Sequence, residues 1–262
     1  MMQRHLATRW LGVLGVVALL VASVSHGTVS AATPRQQGVS PRGHAYFELK
    51  AADGGRLRYA LALPKGFERS RAYPVLLAFP PGPQTEQMVE AGFDRYWGDQ
   101  ASARGWIVVS PVAPDGQLFY RGGERLIPLL LDQIASEFQI ESGRFHVAGW
   151  SNGGRSAFRV ALDHPSRVRS LVVLPGGPPT EEDFGTLDRL AGIPVRMFAG
   201  GLDTAWVRRM QDTGERLKTL GIDVETTILP GEGHVPGSLD GDPIMDLMEG
   251  LRAQLARTAQ PG

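Results

Sequence analysis

Six predominantly apolar runs follow one another along the chain, and a stretch that suits a helix separates each run from the next. A strand that is covered on both faces of a sheet is apolar throughout rather than at alternate positions. Parallel neighbours need a crossover connection, usually a helix, so this alternation predicts a mostly parallel α/β sheet with helices on both faces. The runs are 74–79, 106–112, 145–150, 168–174, 194–199 and 224–229, and the helices are expected over 86–104, 123–138, 153–164, 180–190, 204–220 and 243–256.

Two earlier segments alternate apolar and polar residues instead. Segments 44–50 and 57–63 do so on either side of Asp53-Gly54-Gly55, and these three residues are typical of a tight turn. The segments therefore predict an N-terminal antiparallel β-hairpin that precedes the parallel sheet.

The composition excludes several classes of chemistry. The chain of 262 residues contains no cysteine, so it has no thiolate nucleophile, no thiolate zinc site and no iron–sulfur cluster. Its 27 basic and 27 acidic residues balance, which gives none of the basic surface that nucleic-acid binding needs. Asp99 and Asp115 form no cluster with histidines, so we expect neither a metal site nor a cofactor.

Gly149-Trp150-Ser151-Asn152-Gly153 matches the G-x-S-x-G pattern, directly after an apolar run and directly before a helical stretch. In that context a strand turns sharply into a helix, and the serine hydroxyl stands exposed at the end of the sheet. Glycines flank the serine because a Cβ at either place would crowd the approach of strand and helix. Ser151 is therefore the predicted nucleophile, although in a chain with 33 glycines the alternative is an ordinary serine in a glycine-rich turn.

A serine hydroxyl is a weak nucleophile until a base takes its proton and a carboxylate orients that base. Asp203 and His234 each follow an apolar run, so both are expected at the carboxyl ends of strands. Asp203 follows Ser151 by 52 residues and His234 follows Asp203 by 31, which leaves room for the intervening helices and for little else. The order Ser, Asp, His predicts a catalytic triad.

Other histidines and carboxylates fit these roles less well. His44 belongs to the first predicted strand, His146 lies inside the strand before the nucleophile, and His164 ends a helix. Glu232 should point away from the site if its loop carries His234 inward. The other acidic residues lie on a connecting helix or at a turn and are interpreted as solvated charges; they are Asp183, Asp188 and Asp223.

These motifs together resemble the α/β-hydrolase family, and more narrowly its secreted esterases, which include polyhydroxybutyrate depolymerases and feruloyl esterases. The resemblance covers nearly all of residues 44–256 and rests on Leu63-Pro64-Lys65-Gly66-Phe67, Tyr73-Pro74-Val75-Leu76-Leu77, the loop after Phe79, and the G-x-S-x-G segment with Gly154. It implies an α/β-hydrolase sheet and a cofactor-independent reaction on carboxylic esters.

The oxyanion hole is where the chain departs from this family. Such enzymes use the backbone N–H after the nucleophile, here Asn152, and a second N–H from the loop after the third strand. The resemblance places the second donor at Gly82, but Pro80 stands where the family has histidine and Pro81 where it has the first glycine. Proline has no N–H to donate, so the loop either holds Gly82 rigidly in place or forms a defective hole.

Four aromatic residues are candidates for substrate binding. Trp150 adjoins the nucleophile and Trp206 follows Asp203, while Phe119 and Tyr120 lie on a loop that should reach the same end of the sheet. For each of them, ordinary packing is an equally good interpretation.

Residues 1–32 have the organisation of a secretory signal peptide. Arg4 and Arg9 form a basic start, residues 10–24 are apolar and uncharged, and Ser30-Ala31-Ala32 suits a signal-peptidase site. The apolar run is shorter than the roughly 20 residues of a spanning helix, although an uncleaved anchor stays open. We expect a secreted or periplasmic protein with no stable membrane insertion after cleavage, a flexible segment at 33–42 and one catalytic domain over 43–262.

The sequence therefore predicts a secreted, metal-independent serine esterase with little or no lid, which acts on short-chain, aryl or polymer-exposed esters. A peptidase or an acyltransferase of the same fold would keep every residue named above, so both stay open. A non-catalytic binding protein would follow from a defective oxyanion loop. Neither the acid and alcohol of the substrate nor the oligomeric state follows from the sequence.

Overall fold

Nine strands form one sheet in the computed structural model, which describes residues 35–40 and 44–258. The strands are β1 (Arg35–Val39), β2 (Ala45–Lys50), β3 (Arg56–Ala62), β4 (Val75–Phe79), β5 (Ile107–Pro111), β6 (Phe145–Gly149), β7 (Val168–Val173), β8 (Val195–Gly200) and β9 (Val224–Leu229). Their order across the sheet is β1-β2-β3-β5-β4-β6-β7-β8-β9. All six apolar runs are strands, as predicted.

The pairing changes from antiparallel to parallel at β5. β2 pairs with β3 in antiparallel register, with Glu48 opposite Arg58, and β3 pairs antiparallel with β5. From β5 through β4 to β9, every neighbouring pair is parallel. The predicted hairpin and the predicted parallel sheet are both confirmed.

The segment expected to be flexible contains a strand instead. Arg35–Val39 pairs antiparallel with β2, with Gln36 opposite Phe47, and all five of its residues are exposed. The free edge of β2 supplies the backbone hydrogen bonds that hold this strand. An exposed strand buries no apolar face, so hydrophobic patterning cannot detect it. The predicted signal peptide at 1–32 lies outside the described residues.

Helices cover both faces of the sheet. They are α1 (Glu86–Gly92), α2 (Asp99–Ala103), α3 (Ile127–Glu137), α4 (Asn152–Asp163), α5 (Glu181–Gly185), α6 (Thr204–Thr219) and α7 (Asp242–Thr258). α3, α4 and α6 pack on one face, and α1, α2 and α7 pack on the other. Among the helices of the described ranges, none combines the length and the apolar character that crossing a bilayer requires.

Two hydrophobic cores lie on the two faces of the sheet because successive side chains of a strand point to opposite sides. In β4, Val75 and Leu77 belong to one core, and Leu76 and Ala78 belong to the other. All four are essentially inaccessible to solvent. This double burial is the reason that the central strands are continuous apolar runs.

Two predicted helices are broken. The expected helix over 86–104 splits into α1, a π-helical turn at Phe93–Trp97, and α2. The backbone N–H of Gly98 bonds the carbonyl of Phe93 at 2.8 Å, and a Cβ on Gly98 would lie 2.6 Å from the same oxygen. The expected helix over 180–190 is α5 followed by a 3₁₀ turn at Leu187–Leu190.

Candidate active site

The sharp turn between β6 and α4 holds Ser151 in a strained conformation. Its backbone angles are φ 60° and ψ −116°, which residues other than glycine rarely adopt. A Cβ on Gly149 would lie 2.1 Å from the carbonyl oxygen of Gly153, and a Cβ on Gly153 would lie 2.1 Å from that of Phe79. The turn therefore needs glycine at both flanking positions, and it presents the serine hydroxyl at the end of the sheet.

The structure brings Ser151, His234 and Asp203 together. The imidazole Nε2 lies 2.8 Å from the hydroxyl oxygen of Ser151, and Nδ1 lies 2.5 Å from Oδ2 of Asp203. With its proton on Nδ1, the imidazole donates to the carboxylate and accepts from the serine hydroxyl. This is the tautomer that a general base needs.

Backbone hydrogen bonds hold the loops of Asp203 and His234 against each other. The N–H of Leu202 donates to the carbonyl of Glu232 at 2.9 Å. Gly200 lets the loops meet, because a Cβ there would lie 2.0 Å from the carbonyl oxygen of Gly233. The Asp203 side chain is 17% exposed and the His234 side chain is 43% exposed. The carboxylate is thus sheltered, while the imidazole remains accessible to a substrate.

Asp203 also caps the helix that follows it. Its Oδ1 accepts from the backbone N–H of Trp206 at 3.4 Å, while its Oδ2 faces His234. A side-chain cap satisfies one of the free N–H groups of the first helical turn. The cap and the imidazole together hold the carboxylate in one orientation.

The other histidines have different partners. His44 pairs with Glu90 at 2.9 Å, and the Nδ1 of the buried His146 lies 2.7 Å from the hydroxyl of Ser170. Burial, assisted by the charges of nearby arginines, lowers the pKa of His146 to about 3. Burial also lowers the pKa of His164, which caps the end of α4.

The alternative carboxylates are also engaged away from the nucleophile. Asp183 pairs with Arg159 at 2.7 Å, and Asp223 pairs with Arg196 at 2.9 Å. Glu232 accepts from the backbone N–H of Ser238, and hydrogen bonding from Ser238 lowers the pKa of the Glu232 carboxyl. No group of three metal-ligating side chains occurs among residues 35–40 and 44–258.

The proline-rich loop after β4 forms a tight turn around Gly82. The N–H of Gln84 closes this turn on the carbonyl of Pro81 at 3.0 Å, and Gly82 has a φ of 55°. The side-chain amide of Asn152 donates to the carbonyl of Gly82 at 2.9 Å. Within the described residues, the backbone N–H groups of Gly82 and Asn152 have no acceptor. Both are therefore free to donate to a ligand.

Gln84 fastens this loop, a role that hydrophobic patterning and motifs did not reveal. Its side chain is fully buried, and its Nε2 donates to the hydroxyl of Ser156 at 2.9 Å and to the carbonyl of Pro80 at 3.1 Å. Its Oε1 accepts from the N–H of Phe119 at 3.0 Å. One glutamine thus links the proline-rich loop, α4 and the loop at 113–122.

The four aromatic candidates differ in their positions. The expectation for Phe119 is corrected, because its side chain has no exposed surface and packs against Phe79 in the core. Tyr120 is 7% exposed, and its hydroxyl donates to Oδ1 of Asn152 at 3.0 Å. Trp150 is half-buried and meets the ring of Tyr96 edge-on. Phe119 and Tyr120 therefore expose little or no surface to a substrate.

Trp206 lies beside the imidazole. Its ring centre is 6.5 Å from that of His234, and the guanidinium of Arg209 lies 5.3 Å from the same ring centre. Of the four aromatic candidates, Trp206 is the one that directly neighbours His234.

No protein-family model matches the chain. Among curated proteins, it is 26% identical over 155 residues to dipeptidyl-peptidase 5 of Porphyromonas gingivalis, which covers 54% of this chain and 22% of that protein. It is 28% identical over 127 residues to a pimeloyl-[acyl-carrier protein] methyl ester esterase of Nitrosomonas europaea, which covers 45% of this chain and 50% of that enzyme. The chain therefore spans about half, or less, of the length of these curated relatives.

Solved structures resemble the chain over most of its length. A thermostable esterase superposes with a TM-score of 0.66 and 17% identity, over 79% of this chain and 62% of that one. An S-formylglutathione hydrolase from Agrobacterium tumefaciens superposes with a TM-score of 0.64 and 17% identity, over 81% of this chain and 95% of that one. At this identity the likeness concerns the fold, and the chain has the α/β-hydrolase fold.

Proposed function

We propose that the chain is a serine hydrolase of carboxylic esters, with Ser151 as nucleophile, His234 as general base and Asp203 as the orienting carboxylate. The observation that carries the proposal is the imidazole of His234, which lies 2.8 Å from the Ser151 hydroxyl and 2.5 Å from the Asp203 carboxylate. The strained backbone of Ser151 supports the same assignment, because such strain persists where the surrounding structure imposes it, often at active sites.

In this mechanism, Oγ of Ser151 attacks the ester carbonyl carbon while Nε2 of His234 takes the hydroxyl proton. The N–H groups of Gly82 and Asn152 donate to the oxyanion of the tetrahedral intermediate. The intermediate collapses, the C–O bond to the alcohol breaks, and His234 protonates the departing oxygen. Water then attacks the acyl group on Ser151 with the same base, which releases the acid and restores the serine.

The relatives favour esters over other carbonyl substrates. One curated relative is named a methyl ester esterase, and one structural neighbour is named an esterase. Dipeptidyl-peptidase 5 supplies a second candidate, a peptidase, because its alignment covers 54% of this chain. Only 22% of that peptidase is matched, so the likeness does not extend to the rest of its chain.

The finer assignment is a secreted esterase of the polyhydroxybutyrate depolymerase and feruloyl esterase branch. The signal-peptide pattern of residues 1–32 supports export, and the motifs quoted above support the branch. Export is tested by determining the N-terminus of the protein recovered from the medium or periplasm. Cleavage after Ala31 or Ala32 supports a signal peptide, whereas protein with an intact Met1 in the membrane fraction supports an anchor.

A labelling experiment tests the catalytic assignment. The purified protein is treated with a fluorophosphonate probe, the labelled peptide is identified by mass spectrometry, and p-nitrophenyl acetate turnover is measured in the same sample. We expect the label on Ser151 and a parallel loss of turnover, with both absent in Ser151→Ala. A protein that takes no label and turns over no ester is a binding protein instead.

Two further assays separate the remaining hydrolase classes. A dipeptidyl p-nitroanilide is compared with p-nitrophenyl acetate, and faster cleavage of the anilide favours the peptidase. Acyl transfer is measured with added alcohols or sugars, because a transferase accelerates as the acceptor concentration rises. An esterase cleaves the ester faster than the anilide and shows no acceptor dependence.

A further inference from the structure

A cleft of about 620 Å³ lies between α6 and the stretch formed by α5 and the segment that precedes it. One wall includes Pro178, Thr180 and Phe184, and the other includes Thr204, Arg208 and Arg209. The second wall is one face of α6, because residues four apart in a helix share a side. Neither Ser151 nor His234 lines the cleft, so it is separate from the catalytic site described above.

Both walls of the cleft begin at the catalytic loops. α6 starts immediately after Asp203, and Arg209 lies over Trp206, the indole that neighbours His234. The opposite wall continues from Pro175, whose carbonyl accepts the N–H of Ser151 at 2.9 Å. Trp206 connects the cleft with the site. The guanidinium of Arg209 is 5.3 Å from the indole ring centre, which is 6.5 Å from the ring centre of His234.

Arg208 and Arg209 are exposed, and neither has a carboxylate partner in the part of the chain that the structure describes. Within the described residues, no carboxylate oxygen lies within 4.0 Å of either guanidinium, although Glu181 and Asp212 also line the cleft. Arg196, by contrast, pairs with Asp223 at 2.9 Å. The guanidinium of Arg209 lies over the ring of Trp206, 5.3 Å from its centre, and its N–H groups have no acceptor in the described part of the chain. A guanidinium whose N–H groups are free in this way can bind carboxylate or phosphate.

The wall that faces these arginines is held firmly. Thr180 and Asp183 form a capping box at the start of α5, and the buried carboxylate of Asp183 also pairs with Arg159 at 2.7 Å. The guanidinium of Arg155 donates to the carbonyl of Pro179 at 3.3 Å. The cleft is therefore already formed before a ligand enters, as binding sites for small molecules usually are.

We infer that this cleft binds a carboxylate or phosphate group carried by the ester substrate, with Arg209 as the principal contact and Arg208 as the second. The inference rests on the proposed esterase function and narrows its substrate class to esters with an anionic arm. The negative charges of Glu181 and Asp212 repel an anion that enters the cleft. Recognition of the anion therefore depends on direct hydrogen bonds from the guanidinium groups.

Two substrate series test the inference and identify the arm that carries the anion. In the first, p-nitrophenyl monoesters of succinic, glutaric and adipic acid are compared with neutral acyl esters of equal length. In the second, the acetate of 4-hydroxybenzoate or of a phosphophenol is compared with phenyl acetate. We expect higher kcat/KM for the anionic member of at least one series, and the advantage should shrink with added salt.

Arginine variants assign the effect to the cleft. Arg209→Gln should lower the ratio of anionic to neutral kcat/KM about tenfold, which is the loss of one charge-assisted hydrogen bond. Arg209→Lys should recover only part of the ratio, because an ammonium neither stacks nor presents a planar fork. Arg216→Gln is the matched control, since Arg216 is an exposed arginine of α6 that does not line the cleft. Its ratio should equal that of the unmodified protein.

The possible failures are distinguishable. Turnover of neutral esters with no anionic preference, or with equal ratios for Arg209→Gln and Arg216→Gln, overturns the inference and leaves the proposed function standing. If no ester is hydrolysed, the proposed function fails, and the cleft is tested by calorimetric titration of Ser151→Ala with p-nitrophenyl glutarate. Binding that Arg209→Gln weakens about tenfold supports the cleft, and binding that is absent or unchanged contradicts it.

Discussion

The side-chain amide of Asn152 donates to the backbone carbonyl of Gly82 across 2.9 Å. The same side chain accepts from the hydroxyl of Tyr120 at 3.0 Å through its Oδ1. One asparagine therefore joins the two backbone segments whose free N–H groups are proposed to hold the oxyanion. This chain departs from the family pattern by a loop with three prolines. A side-chain hydrogen bond from the residue after the nucleophile holds that loop.

Asn152→Ala should lower kcat about tenfold and change KM little, because it loosens the Gly82 donor that is needed mainly in the transition state. The variant keeps the backbone N–H of residue 152, so it tests the side-chain hydrogen bond to Gly82 separately from the oxyanion donor. Gly82 itself is a poor probe, since at a φ of 55° any replacement strains the turn. Steady-state kinetics with p-nitrophenyl acetate measure the split between kcat and KM.

Tyr120→Phe serves as the graded control for this variant. It removes the hydrogen bond to Oδ1 of Asn152 but leaves the donation to Gly82 intact, so its loss of kcat should be smaller. Equal rates for Asn152→Ala and the unmodified protein would show that the loop is held without this asparagine, by its prolines and by Gln84.

The triad gives the largest expected effects. Ser151→Ala and His234→Ala should each lower kcat/KM by roughly a thousandfold or more, because the members of a triad act as a unit. Asp203→Asn should cost somewhat less, and Asp188→Asn, on the 3₁₀ turn at Leu187–Leu190, is the matched control. The carboxylate assignment is wrong if Asp203→Asn retains full activity while Asp183→Asn or Asp188→Asn loses it. Thermal unfolding of each variant separates loss of chemistry from loss of structure.

Gln84→Leu should destabilise the protein and slow catalysis together. The change leaves the carbonyl of Pro80 and the N–H of Phe119 without this partner, and it removes the hydrogen bond that the Ser156 hydroxyl accepts. Buried groups left unpaired cost about 1–3 kcal/mol each, so we expect a loss of about 3 kcal/mol in the free energy of unfolding after partial relaxation. Urea denaturation measures this loss.

The kinetic effect decides whether Gln84 positions the oxyanion loop. Its hydrogen bonds fasten the segment that carries Gly82, so kcat should fall while KM changes little. Ser156→Ala removes only one of the partners and should have a smaller effect on both properties. A destabilised Gln84→Leu enzyme with an unchanged kcat would limit this residue to a structural role.

The central fold could be predicted because burial on both faces leaves a direct mark on the sequence. The central parallel strands are apolar runs. The G-x-S-x-G turn needs glycine for the steric reason that the structure gives, contacts of 2.1 Å for an added Cβ. The strand Arg35–Val39 could not be predicted, since it is held by backbone hydrogen bonds and buries no apolar face. The break at Gly98 depends on a local backbone contact with Phe93 that periodicity does not express.

Site residues were predictable to the extent that they follow strands. Ser151, Asp203 and His234 each lie just beyond the carboxyl end of a strand, so their order and spacing indicate a common site. Whether a loop side chain turns inward is not encoded in such spacing. The burial of Phe119 in the core therefore could not be predicted. Gln84 is a buried polar residue, and its role is recognisable only from the groups that it hydrogen-bonds.

Stability should fall as the pH decreases from about 6.5 toward 3, partly because of His146. Burial lowers its pKa to about 3, assisted by Arg169, Arg252 and Arg144, whereas an unfolded histidine titrates near 6.5. Between these values the unfolded chain binds a proton that the folded protein does not, so unfolding is favoured as the pH drops. Above about pH 6.5 this histidine contributes no pH dependence.

His146→Asn, which does not titrate, isolates this contribution. Free energies of unfolding are measured in urea at several pH values between about 7 and 4 for both proteins. As the pH falls, the free energy of unfolding of the unmodified protein should decrease steadily relative to that of the variant. A difference that stays constant with pH shows that another group causes the acid sensitivity.

Access to the nucleophile should be open. The connection between β7 and β8 holds only the five-residue helix α5 and the 3₁₀ turn at Leu187–Leu190, and the imidazole side chain of His234 is 43% exposed. A site without a lid needs no lipid–water interface to open it, so we expect p-nitrophenyl butyrate to be cleaved faster than p-nitrophenyl laurate. Tributyrin hydrolysis should follow ordinary saturation through the solubility limit of the substrate. A sharp rise in rate when droplets form, or a preference for the laurate, contradicts the open site and indicates a covering segment that moves.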